Sequence, residues 1–87
     1  MKYRVVWDEK ALEDLRELDA KTATKIIVRV RDYLTENPIH LGKALTGMFK
    51  GLYRYRYGDY RVIYAVSRQE VIIIIARVSF RRDVYRL

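Results

Sequence analysis

The sequence predicts an α+β domain in which a hairpin of two amphipathic helices packs on one face of a mostly antiparallel four-stranded sheet, in the order β-α-α-β-β-β. Three observations carry that expectation. Apolar residues recur at the helical period between Ala11 and Leu34, residues after Leu52 follow the period of two that a strand requires, and turn residues separate the strands. The chain has 87 residues, 51% of them hydrophobic, which suffices for one core and is too short for two independent ones, so residues 1–87 are expected to form a single domain.

Each element has its own warrant. Lys2 to Trp7 holds Tyr, Val, Val and Trp in a short run ended by Asp8, as in a strand followed by a helix N-cap. Ala11, Leu12, Leu15 and Leu18 then form an apolar stripe with Glu13, Asp14, Arg16 and Glu17 opposite. Asp19-Ala20-Lys21 breaks this helix and starts a second, with Ala23, Ile26, Ile27, Val30 and Leu34 on one side. That helix should end before Asn37-Pro38, because proline disfavours helix in the residue preceding it. Ile39 to Gly47 reads as a loop punctuated by Gly42 and Gly47.

From Leu52 to Tyr57 tyrosine and arginine alternate, which places Tyr53, Tyr55 and Tyr57 on one face of a strand and Arg54 and Arg56 on the other. Gly58-Asp59 turns into Tyr60 to Val66, and Ser67 to Glu70 turns into Val71 to Val78. Val71 to Ala76 shows no alternation, the pattern of a central strand covered on both faces. Ser79 to Leu87 is a short polar tail rich in arginine.

Composition narrows the chemistry. With no cysteine and a single histidine, a disulfide framework, a thiolate metal site and a histidine cluster are all excluded, and no cofactor is expected. No apolar run approaches the ~20 residues that span a bilayer and Met1 to Trp7 does not resemble a leader, so the expected location is the cytoplasm, without a membrane partner. The net charge is +7, and more than half of the eighteen cations lie at or after Lys43, opposed there only by Asp59, Glu70 and Asp83. Such asymmetry favours a polyanionic partner, either nucleic acid or an acidic protein segment.

The segment Gly51-Leu52-Tyr53-Arg54-Tyr55-Arg56-Tyr57-Gly58-Asp59-Tyr60-Arg61-Val62-Ile63-Tyr64, the apolar strand after it, and Arg77-Val78-Ser79-Phe80-Arg81-Arg82-Asp83-Val84-Tyr85-Arg86 resemble the RelE/ParE toxin superfamily, more specifically its RelE-like branch. The resemblance covers nearly the whole chain. It implies a microbial-ribonuclease-like sheet and a ribosome-dependent messenger RNA endonuclease (an mRNA interferase) of a type II toxin–antitoxin system. The partners it implies are a RelB-like antitoxin, a 70S-type ribosome with its mRNA, and operator DNA reached only through the antitoxin. Matched singly, the family's basic strand pair falls on Arg54 and Arg56, its sheet arginine on Arg61, the arginine of the final turn on Arg81, and the terminal tyrosine on Tyr85. Two departures stand out: many relatives have histidine where this chain has Phe80, and the basic pair, often lysine, is here arginine.

Attack of a 2′-hydroxyl on its own phosphate needs a base, stabilisation of the phosphorane charge and a proton for the leaving 5′-oxygen. Arginine suits the second task, because its planar fork grips phosphate oxygens and its charge does not titrate near neutrality. Arg61 and Arg81 are therefore the candidate clamp, Tyr85 the candidate proton-handling or stacking group, and Arg54, Arg56, Lys43, Lys50 and Arg77 the candidate backbone-binding set. General acid and base stay unassigned. Structural roles compete at several positions: Tyr53, Tyr55, Tyr57 and Tyr64 as core aromatics, Arg77 as the partner of a carboxylate such as Asp59, Lys43 and Lys50 as solvated lysines, and His40 as a loop residue with no catalytic part. Two further functions share the scaffold, a ParE-like inhibitor of DNA gyrase and a non-catalytic co-repressor that only binds antitoxin.

Overall fold

In the computed structural model, which describes residues 2–80, the chain opens on strand β1 (Arg4–Trp7) and passes through Asp8 into helix α1 (Glu9–Arg16). The Asp8 carboxylate accepts a hydrogen bond from the Lys10 N–H at 3.1 Å, which fixes the helix start. Helix α2 (Ala20–Asp32) begins the same way, with Asp19 accepting from the Thr22 N–H at 3.2 Å. Each cap satisfies an N–H that the first turn leaves without a helical partner and contributes about 1 kcal/mol. A 3-10 turn, Leu34–Glu36, follows α2, and Pro38 then takes the first position of the short helix α3 (Pro38–Leu41), where its missing N–H costs nothing.

Strands β2 (Lys43–Ala44), β3 (Tyr53–Tyr57), β4 (Tyr60–Ser67) and β5 (Ile72–Phe80) complete one five-stranded sheet in the order β1-β5-β4-β3-β2. Strand β1 runs parallel to β5 and all other pairings are antiparallel. The expected architecture therefore holds with one correction. The segment Ile39 to Gly47 is not a plain loop, because it contributes the end of α3 and the two-residue edge strand β2, which makes the sheet five-stranded. Lys-Ala carries no β-branched or aromatic residue, so nothing local announces a strand there.

A smaller correction concerns Val71, which belongs to the turn and adopts φ +57°, so that β5 begins at Ile72. Strand β5 is central, as the lack of alternation suggested. Its two faces differ, however: Ile73 and Ile75 are fully buried on the helix side, while Ile74 on the other is 37% exposed.

The core lies between the helices and one sheet face. Ala11 and Leu15 of α1, Ile26 and Val30 of α2, and Leu34 meet Tyr55, Val62, Tyr64, Ile73, Ile75 and Val78. Each fully buried aliphatic side chain of this set is worth about 1.5–3 kcal/mol of transfer free energy. Tyr64 is buried completely, and its hydroxyl donates to the Pro38 carbonyl at 2.6 Å, tying α3 to the sheet. Burial raises the phenol's pKa, since the charged form would be desolvated. A side chain at Gly42 would overlap that hydroxyl, which explains glycine between α3 and β2. Among the described residues no helix is long and apolar enough to cross a membrane.

Candidate nucleic-acid interface

Register decides which side chains meet. Tyr53 pairs with Tyr64, Tyr55 with Val62 and Tyr57 with Tyr60, so the tyrosines of β3 fall on the helix side, as their alternation with arginine required. Tyr53 and Tyr64 stack with ring centroids 5.7 Å apart. Opposite the helices, two rows form: Lys43, Arg54 and Ile63 across β2, β3 and β4, and Arg56, Arg61 and Ser79 across β3, β4 and β5. Four cations thus occupy adjacent positions on one face. Directly opposed side chains on antiparallel strands stand about 5 Å apart at Cβ.

Arg56 and Arg61 are such an opposed pair, and like charges in that position are destabilising. Neither Arg54 nor Arg56 has a side-chain hydrogen-bond or ion-pair partner among the described residues, and both reach solvent. Arg61 is partly buried. Guanidinium groups set side by side on a strand pair can be bridged by a polyanion, whose phosphates would supply countercharge to Arg54 and Arg56. The same face changes character beyond β4, where Ala65, Ile74 and Val6 lie in one apolar row. Ile63, between the arginines, is only 1% exposed.

The remaining sequence candidates differ in position and in partner. Lys43 joins the Arg54 row, whereas Lys50 sits exposed in the turn before β3 and outside both rows. Arg77 stands opposite Ile63, at the β5 end of the Arg54 row, but is engaged: its Nε and Nη2 donate to the Asp14 carboxylate of α1 at 2.9 and 3.2 Å. The partner is therefore Asp14, and the expectation of Asp59 is corrected. Asp14 also accepts from the Val78 N–H at 2.9 Å, which it can reach because β1 ends at Trp7 and leaves the later edge of β5 to α1. The Asp14 hydrogen bond raises the pKa of Arg77 further above its ordinary value. A register irregularity opposite Ile63 and Tyr64 puts an extra residue into β5 just before Arg77 and keeps Val78 on the core side.

Phe80 pairs with Tyr60 on the helix side, ring edge against ring face at 5.4 Å, so it points away from Arg61 and Ser79. Its place in the pattern therefore says little about the arginine face. Ser79, which the sequence did not single out, shares the row of Arg61 and brings a hydroxyl to it; only the cross-strand register reveals it. His40 lies exposed on α3. Arg81 and Tyr85, with Arg82, Asp83 and Arg86, lie outside the described residues. No group of histidine, cysteine and carboxylate side chains suited to a metal ion occurs among the described residues.

Known proteins resemble this chain in sequence and in fold. A family model described as the ParE toxin of the type II toxin–antitoxin system parDE matches residues 5–85. The Mycobacterium tuberculosis protein named toxin RelE is 35% identical over 85 residues, covering 98% of this chain and 88% of its own length. Another from the same organism, toxin RelG, is 29% identical over 86 residues and covers 99% of both chains. Among solved structures, a chain of the M. tuberculosis toxin–antitoxin complex RelBE2 superposes with a TM-score of 0.89 at 26% identity, over 93% of this chain and all of its own.

Proposed function

Since the chain belongs to the RelE/ParE superfamily of type II toxin–antitoxin toxins, we propose that it is an mRNA interferase, a ribosome-dependent endoribonuclease that stops translation in the cytoplasm. The observation that supports this most is the face formed by Lys43, Arg54, Arg56 and Arg61. Arg54, Arg56 and Lys43 track the RNA backbone across three strands. Arg61, partly buried between them, faces the scissile phosphate and stabilises charge as the phosphorane forms. In that step the 2′-oxygen bonds to phosphorus, the 5′-oxygen leaves with a proton, and a cyclic phosphate and a free 5′-hydroxyl result. Arg81 and Tyr85 complete the set by resemblance, as second clamp and proton-handling group. Arg77 and Lys50 are left out of the backbone-binding set, the first being neutralised by Asp14 and the second lying off the rows.

Among the described residues nothing on this face offers a strong general base, so positioning supplies most of the acceleration in this reading, and the ribosome provides it. The expected partners are a RelB-like antitoxin, whose acidic segment covers the cationic face, and the ribosome with its mRNA; operator DNA is reached through the antitoxin. A second reading, inhibition of DNA gyrase, is supported by the match to a family model that carries the ParE name.

Induced expression without antitoxin, followed by primer extension on translated messages, separates the two. Cuts within translated messages, absent when the same RNA is incubated without ribosomes, are the expected result. Growth arrest with intact messages and gyrase-dependent DNA breaks would replace the nuclease by the gyrase reading.

A further inference from the structure

Strand β1 is one edge of the sheet and β2 the other. In the parallel ladder with β5 the Arg4 N–H donates to the Val71 carbonyl at 3.0 Å and the Asp8 N–H to the Ile75 carbonyl at 2.9 Å, with Val6 in register with Ile74 between them. The N–H groups of Arg4, Val6 and Asp8 therefore point to β5, and the backbone of Tyr3, Val5 and Trp7 points outward. The Tyr3 N–H is taken, since it donates to the Thr35 carbonyl at 2.9 Å. Among the described residues nothing bonds the outward N–H and C=O of Val5 and Trp7. An edge of this kind accepts an added strand.

The edge is complementary to itself in one register. Two copies related by a two-fold axis pair antiparallel, and residues with outward backbone must then face each other. Val5 opposite Val5 of the second copy would set Tyr3 against Trp7, where Thr35 already holds the Tyr3 N–H. Trp7 opposite Trp7 would set Val5 against Glu9, which has left the strand for α1. Val5 opposite Trp7 uses open groups alone: each such pair exchanges two bonds, and the two pairs satisfy every outward N–H and C=O of Val5 and Trp7 in both copies.

That register also matches the side chains. Val6 meets Val6 on the axis, and Arg4 stands opposite Asp8 of the second copy on either side of it. Val6 is 40% exposed and lies beside Ile74 of β5, so pairing covers apolar surface as well as backbone. Arg4 is exposed without a side-chain partner among the described residues, and Asp8 caps α1 with Oδ2 alone. Opposite charges placed directly across an antiparallel pair stabilise it.

We propose that β1 pairs antiparallel with β1 of a second copy of this chain, about a two-fold axis through Val6, and joins two five-stranded sheets into one. The axis is perpendicular to the sheet, so the arginine faces of both copies lie on the same side. A second copy is favoured over an unrelated strand because Arg4 and Asp8 stand two residues to either side of Val6, the symmetric placement that self-pairing needs. The ladder is short and each copy carries a net charge of +7, which makes the dimer concentration-dependent and not obligate. The pairing rests on the β1 edge and is independent of the nuclease reading.

Sedimentation equilibrium of the full chain, from micromolar to millimolar concentration, should show a monomer–dimer equilibrium. Over the same range the Val5 and Trp7 amides should gain protection from hydrogen exchange. Arg4→Asp and Asp8→Arg each set like charges opposite each other twice and should raise the dissociation constant roughly tenfold or more. An equal mixture of these two variants should associate as tightly as the parent, because every charge at positions 4 and 8 then faces an opposite one. Damage to folding is not repaired by mixing, which separates the interface from the α1 cap that Asp8→Arg removes. Val6→Lys, an exposed position, should abolish association without lowering the melting temperature. A chain that stays monomeric at millimolar concentration, parental association in Val6→Lys, or no recovery in the mixture would overturn the proposal. So would protection of the Val5 and Trp7 amides by a capped peptide alternating Thr and Val in a chain that remains monomeric, which would assign the edge to a foreign strand.

Discussion

On the helix side of β3, Tyr55 is buried beneath α2, bonded to Arg29, and Tyr53 is stacked on Tyr64. On the other side of the same five residues, Arg54 and Arg56 reach solvent with no side-chain partner among the described residues, and Arg56 stands opposite Arg61. One face is stabilised by what it already touches, and the other presents Arg54 and Arg56 to solvent, where an external anion can compensate them. Strand alternation lets a five-residue segment serve both ends, and it separates their energetics: substitution on the tyrosine side should cost stability, and substitution on the arginine side should cost function.

The largest expected effect lies on the covered side. Ile26→Ala removes a fully buried side chain from the helix–sheet contact and should lower unfolding free energy by about 2–5 kcal/mol in denaturant titrations. A loss below 1 kcal/mol would mean that the core yields easily at this point and that the contrast between faces is weaker than drawn. Arg61→Ala should act in the other column, lowering single-turnover cleavage on programmed ribosomes by about 10²-fold, the scale of a lost transition-state charge partner. Parental cleavage in this variant would remove Arg61 from the clamp.

Tyr64→Phe probes where the covered side becomes polar. The Pro38 carbonyl loses its donor, which should cost about 1–3 kcal/mol. The variant should also change the alkaline limb of stability. Burial raises the pKa of the folded phenol above the unfolded value of about 10, so the fold keeps its proton at pH values where the unfolded chain has lost it. Stability from this group is complete below pH ~10 and declines as pH rises above it. Thermal melts taken from neutral to strongly alkaline pH should therefore fall more steeply for the parent than for Tyr64→Phe; parallel curves would refute the assignment.

Much of this contrast could be read in the sequence because its causes are local. Asp8 and Asp19 precede their helices at capping positions, and the Tyr-Arg alternation fixes both faces of β3 before any partner strand is known. What stayed hidden depends on distant partners. The parallel pairing of β1 with β5 brings together segments at opposite ends of the described chain, and Asp14 meets Arg77 across 63 positions, whereas Asp59 was only the nearer carboxylate in sequence. The same limit applies to Phe80, whose side of the sheet follows from register and from the extra residue before Arg77. Strand β2 escaped for another reason, since two residues of ordinary propensity carry no pattern.

The smallest expected effect is the most discriminating. Arg56→Thr keeps a residue suited to a strand and removes one member of the Arg56–Arg61 pair. If the arginine face exists for binding, relief of repulsion should leave stability unchanged or raise it, by about 0.2–1 kcal/mol, because Arg56 is exposed and has no side-chain partner to lose among the described residues. Association with RNA on the ribosome should weaken at low salt, and the slope of log K against log salt should become shallower by about one, the signature of one phosphate contact fewer. Added salt should then bring variant and parent together. Both measurements bear on the same residue, and the combination carries the weight: a stability loss above about 1 kcal/mol with an unchanged salt slope would make Arg56 a structural residue like its tyrosine neighbours. The distinction between the two faces of β3 would then fail at the position where it predicts the cleanest separation.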